Sequence, residues 1–193
     1  NIFDLVINAI DPNKQLINLE LRKQPILNRL FIDDTDILVV HNPKAITEAA
    51  FNELDVFLKN GGGLIWFSGG IEPDPVYQKY FSNLQFPTAT RKIKINSGHF
   101  NVIMPTNENH ILSDLNVRKL SNELPEVFSY IKHITKANQK VHLELNNGDP
   151  FLIDFERGSG KIFYFTSLLN LNWNDFTLRG LLIPLMHKLL ILG

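Results

Sequence analysis

The chain has 193 residues, 44% of them hydrophobic and 20% charged, a globular composition that suffices for one buried core and is short for two. Its 19 basic and 20 acidic side chains leave a net charge of -1, which argues against nucleic acid as a partner, since that needs a basic face. It holds no cysteine, which excludes disulfides, thiolate metal sites and cysteine nucleophiles together.

No uninterrupted apolar run approaches the roughly 20 residues of a membrane span. The longest, LLIPLMHKLLIL at 181–192, carries His187 and Lys188. The chain stops inside that run and starts inside another apolar pattern, as a segment of something longer would.

In chain order, Ile2, Phe3, Val6, Ile7 and Ile10 fall at helical spacing and Asp11-Pro12 stops them. Phe3, Leu5, Ile7 and Ala9 also alternate, so a strand is the rival reading to the preferred helix. LINLELR (16–22) reads as a short strand. Pro25 can open a brief helix over PILNRLF, because its missing N–H falls where a helix start has no partner. DILVV (36–40) is a continuous apolar run of the kind covered on both faces. Thr47 can cap a helix whose apolar face is Ala50, Phe51, Leu54, Phe57 and Leu58. Asn60-Gly61 ends it, with Gly61 expected at positive φ. LIWF (64–67) is a second buried strand, expected parallel and adjacent to ILVV in a βαβ unit.

RKIKI (91–95) and HFNVIM (99–104) flank Asn96-Ser97-Gly98 as a hairpin signal. VHLELNN, FLIDFERG and KIFYFTS (141–167) read as a meander with turns at 147–149 and 158–160. Asp175 is expected to cap a final helix, FTLRGLLIPLMHKLLIL, with Trp173 under the entry turn. Pro184 faces Gly180 four residues back, which predicts a kink or a break.

The glycines of FLKNGGGLIWFSGG (57–70) admit three readings. A phosphate cradle needs glycines that lead from a strand into a helix and a closing Lys-Ser/Thr; here they lead from a helix into a strand. A nucleophile elbow would use Ser68, yet only its second half, Gly69-Gly70, is present. The third reading is architectural: the glycines end a helix and turn the chain at the carboxyl end of a central strand, where open α/β sheets bind ligands. IDDTD (32–36) lacks the glycine and closing glutamate of a calcium loop, so no metal site is expected. No cofactor is expected either. Glu72, Trp173 and Asp175 could reach the same sheet end as Ser68.

DILVVHNPKAITEAAFNELDVF followed by LKNGGGLIWFSGG resembles the core of class I glutamine amidotransferase-like domains. The stretch from 146 to 190 resembles the end of the extracytoplasmic domain in aerotolerance-regulator-type (Bat-type) bacterial membrane proteins. Its matching residues are Arg157, Gly158, Gly160, Lys161, Ser167, Trp173, Asp175, Gly180, Pro184 and His187. The two resemblances cover about 33–70 and 145–190. They imply an α/β, three-layer αβα sheet of the glutamine amidotransferase-like (flavodoxin-like) kind, one domain over 1–193 with a β-rich excursion at about 90–165.

They imply a domain on the outer, periplasmic side of the cytoplasmic membrane, anchored by segments outside this chain, with membrane or envelope proteins as partners and no nucleic acid. Active glutamine amidotransferases carry an elbow cysteine and a later His-x-Glu pair. Here the matching stretches are Ser68-Gly69-Gly70-Ile71 and Thr166-Ser167-Leu168, so the Cys-His-Glu triad is lacking. The expected function is therefore a non-catalytic binding or assembly domain, a pseudoenzyme. The alternatives are a hydrolase using Ser68, and a small-ligand receptor, for a sugar for instance, built on Ser68, Gly69, Gly70, Glu72, Trp66, Trp173 and Asp175.

Overall fold

The computed structural model describes residues 2–13, 15, 17, 18, 20, 22–30, 32–104, 111, 112 and 121–193. The order of elements begins α1 (Ile2–Ile10), β1 (Ile26–Leu27), β2 (Ile37–His41), β3 (Ala45–Ile46), α2 (Glu48–Lys59), β4 (Gly63–Phe67) and α3 (Pro75–Asn83). It continues with β5 (Thr88–Lys94), β6 (Phe100–Ile103), β7 (Glu126–Val127), β8 (Ser129–Ile134), β9 (Lys140–Leu145), β10 (Pro150–Arg157) and β11 (Gly160–Phe165). A final helix, α4, spans Leu182–Leu192.

The central sheet has seven strands in the order β2-β4-β11-β10-β9-β6-β7. β2, β4 and β11 run parallel, as expected for ILVV and LIWF, with Val40 opposite Trp66 and Trp66 opposite Tyr164. The meander of β9, β10 and β11 continues the sheet antiparallel. Because side chains alternate along a strand, β4 and β11 feed two cores at once. Ile65, Phe67, Phe163 and Phe165 point to the side of Val6 in α1 and of Leu185 and Leu189 in α4. Leu64, Trp66, Ile162 and Tyr164 point to the side of Leu54 and Leu58 in α2 and Phe81 in α3. Helices on both faces of one sheet make the fold a three-layer α/β structure.

α2 follows its sequence signals throughout. Thr47 Oγ1 accepts the Ala50 N–H at 3.3 Å, and all five expected core residues are buried. At its end Gly62 N–H donates to Phe57 O (3.0 Å) and Gly61 N–H to Leu58 O (3.1 Å), the Schellman pairing. Gly61 takes the φ of +100° that this closure needs.

Five expectations are corrected. Pro25 opens no helix: Ile26–Leu27 pair parallel with Ala45–Ile46, and Thr47 N–H donates to Leu27 O, so backbone pairing overrides the local proline signal. The expected strand at 16–22 falls partly outside the described residues, and its described members, 17, 18, 20 and 22, join no ladder. The strands flanking Asn96-Ser97-Gly98 do not pair with each other, since β5 pairs with β8 while β6 pairs with β7 and β9. The last helix does not start at Asp175. A 3-10 turn at Phe176–Leu178 comes first, and α4 begins at Leu182, which sets Pro184 in the first helical turn where its missing N–H costs nothing. β2 is an edge strand and mostly half-buried rather than covered on both faces.

Candidate functional site

The carboxyl end of β4 carries the residues singled out from the sequence. Ser68 continues the strand, its N–H donating to Phe165 O at 2.9 Å. Gly69 and Gly70 turn the chain, and Asp74 then caps α3 through the Val76 N–H at 2.9 Å, with Pro75 in the first turn. Strand, turn and helix therefore follow in the order an elbow requires. At Gly69 an added Cβ would stand 2.8 Å from Asn42 Oδ1 and 3.3 Å from Asn42 Cα, so the turn passes close to the end of β2 and a side chain here would make Asn42 shift.

The turn folds Glu72 back under the strand. Its Oε1 accepts the Trp66 indole N–H at 2.8 Å, and both carboxyl oxygens share the Gly69 N–H at 3.1 Å. Glu72 is 2% exposed and Trp66 fully buried. Burial pushes the Glu72 carboxyl above the ordinary carboxylate range, against the pull of the Trp66 and Gly69 donors. Trp66 thus spends its indole N–H inside the protein and offers no ring face to a ligand.

Beside Glu72 stands a pair that the sequence did not announce. Tyr164, on β11, packs against His133 of β8, with 2.9 Å between the Tyr164 hydroxyl and His133 Nε2. His133 Nδ1 lies 2.7 Å from Ile131 O, a contact that requires a proton on Nδ1. The imidazole is neutral, since burial lowers its pKa to about 4, so Nε2 accepts and the Tyr164 hydroxyl donates. Burial, and then the nearby Glu72 carboxyl, raise the Tyr164 phenol well above its usual range. In the sequence Tyr164 stands only within the apolar run KIFYF of the meander, and no element is expected around His133.

Ser68 lies between these groups. Its side chain is fully buried, adjacent to Glu72 and Tyr164, and its Oγ makes no hydrogen bond of acceptable geometry. His133 is taken up by Ile131 and Tyr164. His41 has an unpartnered, buried Nε2, but it packs on Phe3 and Phe67, on the other face of the sheet. Among the described residues no histidine is placed to deprotonate Ser68, and no group of carboxylates and imidazoles is arranged to hold a metal ion.

Trp173 and Asp175 lie elsewhere. Trp173 packs half-buried against the α1/α4 side, with Lys92 Nζ 4.2 Å above its ring. Asp175 makes no cap hydrogen bond; the expected capping role is replaced by a brace. Its Oδ1 accepts the Glu126 N–H at 2.8 Å and its Oδ2 pairs with Arg179. The structure brings Ser68, Gly69 and Glu72 together, and separates them from Trp173 by the thickness of the sheet.

A small cleft of about 120 Å³ opens between α3 and the start of β5, and Glu72 and Tyr164 form its floor. Polar and aromatic groups therefore converge at the sheet end, although the cleft faces α3 rather than the β2 side.

Neither a known protein family nor a curated protein matches the sequence. Several solved structures share the fold. The cytoplasmic protein STM1381 from Salmonella typhimurium LT2 is 18% identical, with a TM-score of 0.75 over 98% of this chain and 86% of that one. The cytoplasmic protein STM3548 from Salmonella typhimurium is 19% identical, with a TM-score of 0.62 over 83% and 72%. A ThuA-like protein from Parabacteroides merdae ATCC 43184 is 12% identical, with a TM-score of 0.55 over 86% and 73%. At these identities the likeness is one of fold, and it agrees with the three-layer, flavodoxin-like architecture.

The same comparisons correct two expectations, the kinship with aerotolerance-regulator-type membrane proteins and the placement on the outer side of the cytoplasmic membrane. Among the structures that share the fold are two cytoplasmic proteins and a ThuA-like protein. No described helix is long and apolar enough to cross a membrane. The residues behind that resemblance have local structural work instead. Arg157 Nε binds Asp55 at 2.7 Å, Lys161 pairs with Asp154 at 2.5 Å, and Ser167 Oγ donates to Ser129 O at 2.8 Å. Such fastenings serve any chain that closes this sheet in this way, so they do not identify one family.

Proposed function

We propose that this chain is a non-catalytic binding module, in which the serine at the sheet end that could carry chemistry is buried and has no base beside it. The observation behind this reading is the state of Ser68. Its hydroxyl is fully buried and unpartnered, and the imidazole bonded to the neighbouring Tyr164 is held neutral with both nitrogens engaged. A serine without a base is a weak nucleophile, and one without access meets no substrate. The absence of cysteine removes the thiol route to glutamine hydrolysis as well.

Covalent labelling with a fluorophosphonate, followed by intact-mass measurement, tests this reading. The expected outcome is no adduct, with wild type and Ser68→Ala indistinguishable. An adduct that maps to Ser68 and disappears in Ser68→Ala would overturn it and install the hydrolase reading.

A further inference from the structure

We infer that the cleft between α3 and β5 is a binding site for a small primary ammonium compound carrying a flat apolar group, with Glu72 as its counter-ion. The inference deepens the binding-module reading and rests on it.

The cleft has three zones. Its floor is Glu72 and Tyr164, its walls are the buried Phe81, Phe86 and Ala89, and its rim is the exposed Gln78, Ser82 and Thr88. No lysine, arginine or histidine lines it. A phosphate or carboxylate ligand would find no positive partner there and would face Glu72, so anions are excluded.

The floor is chemically one-sided. A carboxylate has about four lone-pair sites. On Glu72 the Trp66 and Gly69 N–H groups occupy Oε1, and Oε2 receives only a share of the Gly69 N–H. Oε2 therefore has room for one more donor. Tyr164 does not supply it, because its hydroxyl donates to His133, and the single hydroxyl proton of the neighbouring Ser68 can serve Glu72 or the Tyr164 oxygen but not both. Its phenolic oxygen offers lone pairs instead, so the floor presents two acceptors and wants a donor. One ammonium carries three N–H bonds and one positive charge, enough for both oxygens. The ring of such a ligand would lie against Phe81 and Phe86, and its charge would profit from the ring faces.

Proton linkage follows. The titratable groups around Glu72 are Tyr164 and His133, both neutral, and no cation balances a charge on the carboxyl. Unliganded Glu72 holds its proton above the ordinary carboxylate range. An ammonium that binds to the carboxylate displaces that proton to solvent. Apparent affinity therefore rises with pH and levels off once Glu72 is ionised in the free protein.

The test is titration calorimetry with benzylammonium, with benzyl alcohol as the neutral comparison, on wild type, Glu72→Gln and Ser82→Phe. Trp66 emission in a Trp173→Phe background serves as the site-specific readout. The expected result is saturable benzylammonium binding that strengthens as pH rises from the acid side, with proton release, visible as a buffer-dependent enthalpy, wherever unliganded Glu72 still holds its proton. Benzyl alcohol and Glu72→Gln should each weaken binding by about tenfold or more, the ratio that a charge-assisted hydrogen bond supplies. Ser82→Phe should close the mouth without touching the floor. If Glu72→Gln fails to fold, the alcohol comparison, the buffer dependence and Ser82→Phe still decide.

Benzyl alcohol binding as tightly as the ammonium, or binding unchanged in Ser82→Phe, or no saturable response at all, overturns the inference. Any of these, with no fluorophosphonate adduct, removes the ligand class and leaves the binding-module reading intact. An adduct on Ser68 removes that reading whatever benzylammonium does.

Discussion

Protonating His133 would cost the protein its Tyr164 acceptor and place a charge in a dry site. With a native pKa of about 4 against an ordinary 6.5, the imidazole binds its proton more readily in the unfolded chain throughout that interval. Stability must then fall as pH drops from 6.5 to 4, by about 3 kcal/mol in all. Glu72 acts with the opposite sign. Its raised native pKa gives a contribution that is complete below the unfolded value and lost as pH climbs through the native one. Urea denaturation of wild type, His133→Gln and Glu72→Gln across this range separates the two. His133→Gln should flatten the acid limb and Glu72→Gln the limb on its alkaline side. An acid limb of unchanged slope in His133→Gln would show that another group carries it. Neither role was legible beforehand, because Tyr164 lies in a continuous apolar run and His133 in a stretch without a motif, and neither context names a partner.

The elements that the sequence made legible are those whose signals are local. Thr47, the five apolar positions of α2 and the glycines after Asn60 specify that helix without reference to the rest of the chain. The β9–β11 meander likewise carries its own turns. What escaped is pairing between distant segments: β1 with β3, and β5 with β8 rather than with β6. The elbow was half-visible in Ser68-Gly69-Gly70, but sequence spacing could not reveal that Glu72 folds back onto Trp66.

One junction between elements supports a sharp prediction. The turn from β10 into β11 rests on the end of α2, where an alanine Cβ at Gly160 would stand 2.4 Å from Leu58 O and 2.5 Å from Gly62 O. Both are backbone atoms and cannot swing aside. Gly160→Ala should therefore lower the unfolding free energy by at least about 2 kcal/mol. Gly70→Ala is the control, since nothing lies within 4 Å of its added Cβ, and its effect should stay within about 0.5 kcal/mol. Equal denaturation midpoints for the two variants would refute the close approach.

At the scale of the whole molecule, two cores share one sheet, and the alternation in β4 and β11 ties them together. Phe67 stacks on Phe165 at 4.6 Å toward α1 and α4, while the preceding Trp66 packs edge-on to Phe81 and Phe86 toward α2 and α3. Neither strand can leave the sheet without opening both sides, so the two cores should unfold as one unit. Leu54 and Leu185 are both fully buried, one in each core. Leu54→Ala and Leu185→Ala should each cost about 2–5 kcal/mol. If the cores are one cooperative unit, native-state hydrogen exchange will show the slowest amides of β4, β10 and β11 losing the same protection as each variant loses in global stability. The double variant should add within about 0.5 kcal/mol, because the sheet stands between the two sites and they share no partner. The outcome against this is selective loosening: Leu185→Ala freeing the amides of α1 and α4 while β4 and β11 keep wild-type protection. That would make the α1/α4 layer a separately opening unit, and the sheet with α2 and α3 the true folding core.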